Sequence, residues 1–180
     1  MVLDDNEIIL REIFPAKKFF LNTAEKLRIL FSFFYLAISI ILIINLQAML
    51  FIFAVFIFFV TLYLAFFRWI LRYFDIRDNY YLVTNYRIII AEKSTKEITK
   101  YKKLEEIKEI NVQMNSSFFG NIIFGQPEDI FGKADDSFSF FKTNGMNFTE
   151  DKYIFLSVEN IHEIVPVFES LGLPINKTFF

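Results

Sequence analysis

The sequence has no cysteine. That excludes disulfides, thiolate metal sites and a cysteine nucleophile. It does not choose a compartment, because a cysteine-free chain suits either side of a membrane. There is one histidine, His162, next to Glu163. A general base needs a positioned partner and a nucleophile to act on, and no nucleophile motif accompanies it, so His162 reads as a surface or packing residue. Charge of one sign is also lacking: the formal net charge is -2, which gives the whole chain no bias toward polyanions. Glycine is scarce. Gly120 and Gly125 frame "GNIIFG", but no Lys-Ser/Thr follows and no helix opens there, so this is a turn and a strand end, not a phosphate loop.

The most informative absence is local. From Ile29 to Phe67 there is no charged residue, a run of roughly 39 residues where ~18 suffice to cross a bilayer. As one helix it would measure about 58 Å, roughly twice the hydrocarbon core. Two spans fit, Ile29–Leu46 and Ala48–Phe67, with the polar pair Asn45 and Gln47 at the turn. A cleavable signal would have a shorter apolar core nearer the N-terminus. Lys17, Lys18, Lys26 and Arg28 precede the first span, and Arg68, Arg72 and Arg77 follow the second. The positive-inside bias then places both ends in the cytoplasm. Trp69 and Tyr73 suit the interface. Inside the spans the polar side chains are Ser32, Ser39 and Thr61, with no ionisable group for a proton or ion path. The hairpin reads as an anchor.

What is present after the hairpin is mostly strand. Tyr80–Thr84 and Tyr86–Ala91 form a β-hairpin in this reading, with Asn85 at a left-handed pivot. "KEITKYK" is a polar, exposed strand. "EINVQMN" alternates, placing Ile110, Val112 and Met114 on one face. "NIIFG", "FSFF" from Phe138 and "YIFLSV" from Tyr153 complete about seven short strands, a small barrel or sandwich. The end is helical: Ile161, Ile164, Val165, Phe168 and Leu171 recur at helical spacing, Asn160 with Glu163 has the pattern of a capping box, and Pro166 should bend the helix. The organisation expected is an N-terminal cytoplasmic segment over 1–28, a transmembrane hairpin over 29–67 and a β domain over 78–175. Only Leu71–Asp78 separates the second span from the first strand.

Several of these residues, in this order, resemble a known family. Tyr81-x-x-Thr84-x-x-Arg87 followed by three isoleucines resembles the opening hairpin of bacterial pleckstrin-homology-like domains. Leu104, Ile107 and Ile110 match its step into the next strand, and Phe119-Gly120-Asn121-Ile122 its glycine-led turn. Val158-Glu159-Asn160-Ile161 resembles the start of its C-terminal helix. The subgroup it most resembles carries a two-helix membrane hairpin just before the domain and a short acidic opening like "LDDNEIILREIF". Lys103 stands where a proline is common, and Pro166 lies inside the expected helix. The resemblance implies a membrane-anchored α+β protein: a hairpin, then a mostly antiparallel pleckstrin-homology-like barrel with a capping helix, at the inner face of the cell membrane. It implies no catalytic activity and no cofactor.

The remaining chemistry is sparse. Glu128, Asp129, Asp135 and Asp136 cluster around a glycine but lack the EF-hand alternation, so a solvated loop is expected ahead of a Ca²⁺ site. Lys93, Lys96, Lys100, Lys102, Lys103 and Lys108 offer a basic segment to an anionic leaflet, with Arg87 near the first hairpin. Glu97, Glu105, Glu106 and Glu109 interleave with them and cancel much of that charge. Relatives that read phosphoinositide headgroups use basic residues around the first hairpin loop; here that loop is Thr84-Asn85 with Arg87 alone. Residues 68–180 hold 14 Lys+Arg against 16 Asp+Glu, the wrong sign for nucleic acid. The function expected is a non-enzymatic, two-pass inner-membrane protein presenting its domain for assembly, as a homo-oligomer or with other membrane proteins; the alternative is an anionic-lipid sensor using Arg87 and Lys93–Lys103.

Overall fold

The computed structural model describes residues 6–45, 49–127 and 153–180. The chain divides into two compact units. One is Thr23–Phe74. The other joins the N-terminal segment, through Asn22, to Asp75–Phe180.

The first unit is helical. Helix α1 covers Thr23–Asn45, α2 covers Met49–Leu62, a π-helical turn covers Tyr63–Phe67, and α3 covers Arg68–Asp78. The chain thus holds two helices long and apolar enough to cross a membrane, Glu25–Asn45 and Phe51–Asp78. The second runs past the expected end at Phe67. The stretch Leu71–Asp78, expected as a connection, is helix, and the first strand of the β hairpin starts directly at Asn79. In the α1–α2 pair and the π turn that follows it, the described buried positions include the small or weakly polar Ala54, Ala65, Ser39 and Thr61. Small residues let helix backbones approach closely where no hydrophobic effect drives pairing. The Ser39 and Thr61 hydroxyls lie 3.4 Å apart. Each also donates to a carbonyl of its own helix, Ser39 to Leu36 and Thr61 to Ile57 or Phe58, so neither is a costly orphan. The Glu25 carboxylate accepts from Arg72 in a largely buried pair, joining α1 to α3.

The second unit holds eight described strands and one helix. In chain order they are β1 (Ile9–Ile13), β2 (Asn79–Thr84), β3 (Arg87–Glu92), β4 (Ile98–Lys103), β5 (Ile110–Met114), β6 (Gly120–Ile123), β7 (Ile154–Val158), α4 (Ile161–Ser170) and β8 (Ile175–Phe179). They form two four-stranded sheets, ordered β1-β2-β3-β4 and β7-β6-β5-β8. All neighbours are antiparallel except β5 and β8. Neither sheet closes into a barrel among the described residues. The molecule is therefore α+β, with two long apolar helices and two mostly antiparallel sheets. The strand expected at "FSFF" lies outside the described residues.

The period-2 pattern of the strands sets the core. Tyr81 and Val83 of β2, Ile88 and Ile90 of β3, and Ile110, Val112 and Met114 of β5 all turn inward. They meet Ile122, Phe124, Phe155 and Val158, and the buried face of α4, Ile161, Ile164, Val165 and Phe168. Each such side chain contributes about 1.5–3 kcal/mol by leaving water. Tyr81 ties the sheets together: its ring stacks on Phe155 with centroids 4.5 Å apart, and its hydroxyl accepts from the Leu156 amide at 3.0 Å.

Two local expectations are corrected. Asn85 does not adopt the left-handed conformation. The two-residue turn is tied instead by the Thr84 Oγ1, which accepts from the amides of Tyr86 (3.2 Å) and Arg87 (2.9 Å). Asn160 is left-handed, φ 52°, and makes no side-chain cap. Glu163 closes no capping box; its carboxylate binds Arg11 of β1 at 3.0 Å. Pro166 sits inside α4 among residues that remain helical.

Gly120 opposes Met114 in the β5–β6 ladder. A Cβ there would stand 1.8 Å from the Gln113 carbonyl oxygen and 2.7 Å from the Met114 Cα, both backbone atoms that cannot swing aside. Gly120→Ala should therefore destabilise the protein by at least about 2 kcal/mol, read by thermal or denaturant unfolding. An unchanged midpoint would mean that β6 does not lie this close to β5.

Candidate functional site

The site is built where β1 meets the β2–β3 turn. Arg87 opens β3 and its side chain is only 9% exposed. Its guanidinium donates to Glu7 through two bonds, Nε to Oε1 at 2.9 Å and Nη2 to Oε2 at 2.8 Å. The Glu7 side chain is 1% exposed. This is the fork-to-carboxylate geometry for which arginine is suited. The Thr84 hydroxyl lies 2.8 Å from the same Glu7 Oε1 and 2.8 Å from the Arg87 carbonyl, so its single proton serves one or the other. The Arg87 guanidinium also stands 4.9 Å from the Tyr101 ring centroid, a favourable cation–π distance. Beside it Asn85 grips the backbone of the N-terminal segment. Its Oδ1 accepts from the Ile8 amide at 2.9 Å, its Nδ2 donates to the Asn6 carbonyl at 3.2 Å, and its own amide donates to the Ile8 carbonyl at 3.2 Å.

Next to this lock lies a groove of about 370 Å³ on the outer face of the first sheet. Ile9, Glu12 and Phe14 form one wall, Tyr80 and Leu82 the floor, and Lys93 and Lys96 the far end. The Phe14 ring stacks on Tyr80, centroids 5.7 Å apart. Burial, with a smaller push from the Glu12 carboxylate, raises the Tyr80 phenol above its usual range. Mostly apolar walls with a few charged groups are the ordinary make-up of a small ligand or side-chain pocket.

Of the expected basic residues, some are engaged with the rest of the unit and others are exposed. Arg87 is locked on Glu7. Lys93 donates to the carbonyls of Ile76 and Arg77 at the end of α3, at 3.3 and 2.9 Å. Those carbonyls have no helical partner, and a cation there also meets the negative end of the helix. Burial lowers the Lys93 pKa. Lys102 donates to the Phe124 carbonyl at 3.2 Å and stands 5.4 Å from the Tyr153 ring centroid. Lys103 lies by Tyr86, whose hydrogen bond raises its pKa, and 3.7 Å from Glu105. Lys96, at φ 56°, occupies the turn before β4, and Lys100 is exposed on β4.

The motif residues all serve structure here. Tyr81, Thr84 and Arg87 have the roles just given. Leu104 packs half-buried on the core and Ile107 is buried within it, either side of a short 3₁₀ turn. Gly120 permits the close approach of β5 and β6. His162 lies against the Phe118 ring, centroids 4.6 Å apart. Among the described residues no group of three or more His, Asp or Glu could hold a metal ion. Glu128, Asp129, Asp135 and Asp136 lie outside the described residues. Glu7 went unnoticed in the sequence. The signal available was a carboxylate just before an apolar run, which is too common to single it out.

Removing one partner from a buried pair strands the other charge, at about 3–5 kcal/mol. Glu7→Gln and Arg87→Met should each destabilise by about 3 kcal/mol. The double variant should cost less than the sum, with about 1–3 kcal/mol of coupling in urea melts. Additive single costs below about 1 kcal/mol would show that the fork carries no such weight.

No family model matches the chain, and no curated protein or solved structure matches it either.

Proposed function

We propose that this is a non-enzymatic, two-pass membrane protein. Its β unit would be a pleckstrin-homology-like module at the inner face of the cell membrane, serving assembly with itself or with other membrane proteins. The observation that carries this reading is a contrast. Buried polar side chains of the β unit are engaged within it: Glu7, Arg87 and Thr84 with one another, and Asn121 with the Ser157 amide, from which it accepts at 2.9 Å. One group of its exposed apolar side chains lines a sheet edge, with others at Phe118, Phe179 and Phe180. Ile8, Ile9, Leu10 and Phe14 are 63, 41, 41 and 60% exposed along and beside β1. A sheet edge rich in uncovered apolar groups is a template for another chain. The two apolar helices support anchoring, and Lys and Arg on both flanks support cytoplasmic ends.

The test is mass photometry of the full-length protein in nanodiscs and mild detergent. A discrete oligomer is expected. A monomer in both media, together with no partner captured by crosslinking in cells, would overturn the reading.

A further inference from the structure

The β unit is not built from one stretch of chain. Its first sheet begins with β1, which precedes α1, and continues with β2, which follows α3. The hydrogen bonds that seat the strand connect residues 77 to 80 positions apart. The ladder pairs Ile9 with Thr84, Arg11 with Val83, Glu12 with Leu82 and Ile13 with Tyr81. A register shift between Ile9 and Arg11 fixes that alignment. With the Glu7–Arg87 fork and the Asn85 grip, the β2 edge recognises one particular strand in one register.

The same strand contributes little to the core. Of β1 only Ile13 is buried. Ile13 lies in the common core at 5% exposure and Arg11 reaches Glu163 of α4, so a strand that leaves the β2 edge gives up those contacts unless a second copy restores them. Pro15 stands two residues beyond the end of β1. A proline, and the restriction it places on Phe14, keep the chain extended as it leaves the strand. The next attachments are the Ala16 amide to the Ser157 carbonyl (2.8 Å), Phe20 buried against Phe119 and Phe180, and Asn22 on Gln113 (2.8 Å). Lys17, Lys18 and Phe19 between them are exposed. Three extended residues span about 10 Å, and all nine from Phe14 to Asn22 about 30 Å. The tether therefore reaches a neighbour held alongside.

We infer that β1 is an exchangeable strand: a second copy of this chain docks by laying its own residues 6–13 on the β2 edge, with its Glu7 on Arg87. This deepens the assembly reading and rests on it. The contacts of residues 6–13 are remade between two chains, so exchange over the short Phe14–Ala16 tether trades none of their hydrogen bonds or ion pairs away, whereas the longer tether also releases Ala16 from Ser157 and Asn22 from Gln113. What decides the balance is the effective concentration of the neighbour's strand, and tethered partners commonly reach the millimolar range. Exchange also makes the groove composite. Ile9, Glu12 and Phe14 then come from one copy, and Tyr80, Leu82, Lys93 and Lys96 from the other.

The absence of cysteine gives a clean test. Glu12→Cys and Leu82→Cys face each other in the ladder. Expressed together in two differently tagged full-length chains, each carrying one substitution, they form a disulfide only if β1 of one copy lies on β2 of the other. A reducible heterodimer is expected. The double variant E12C/L82C on one chain shows that the pair can bond. A bonded double variant that stays monomeric, with no heterodimer from the mixture, overturns exchange. An oligomer seen by mass photometry in that case leaves assembly standing by another surface, whereas monomers throughout sink both. Since Leu82 is buried, a second pair guards against a misfolded variant. Glu7→Arg and Arg87→Glu each place like charges together within one chain, and reciprocal exchange between the two variants restores both opposite pairs. They should co-purify about tenfold or more above either variant with a tagged copy of itself. Equal recovery would contradict exchange.

Discussion

The β unit depends on a single buried carboxylate finding a single buried guanidinium. Glu7 and Arg87 are nearly water-free, and each offsets much of the other's burial cost. The two-bond fork meets the geometric demand that lets such a pair offset its desolvation. From that contact the rest of the corner follows. Thr84 is turned toward Glu7 while it ties the β2–β3 turn. Asn85 is positioned to hold the backbone on either side of Glu7. The strand after Glu7 is thereby delivered to the β2 edge, and it builds one wall of the groove.

The helical unit solves a different problem by different means. Its surface is crowded with exposed phenylalanine and isoleucine, while small side chains are among those buried between its helices. Specificity comes from close approach at Ala54 and Ala65, from the Ser39–Thr61 pair, and from Glu25 on Arg72. The π turn at Tyr63–Phe67 begins two residues after Thr61, and such turns mark places where a helix departs from its regular ladder.

The elements legible in the sequence were those whose signal is local. The charge-free run announced two apolar helices. Alternation announced β5, and helical spacing announced the buried face of α4. β1 and β8 escaped because their signals are not local. β1 lies in an acidic, mostly exposed stretch, and only its pairing with residues some 70 positions away makes it a strand. β8 is short, polar and exposed, and pairs in parallel with β5 across the chain. The basic residues were visible as composition, but their engagement was not. Nothing in "AEKSTKEITKYKK" shows that Lys93 ends on the α3 carbonyls or Lys102 on Phe124. Tertiary geometry gives Arg87, Lys93 and Lys102 structural contacts, while Lys96 and Lys100 stay exposed.

The central claim is that residues 6–13 are an integral strand of the β unit, locked by Glu7 on Arg87. Amide hydrogen exchange of the full-length protein in nanodiscs tests it most directly. The account predicts that the amides of Ile8 and Asn85, and the paired amides of β1, exchange with protection comparable to β2 and β3. Exchange of residues 6–13 at the rate of an unstructured tail, beside a protected β2–β4 sheet, would contradict it.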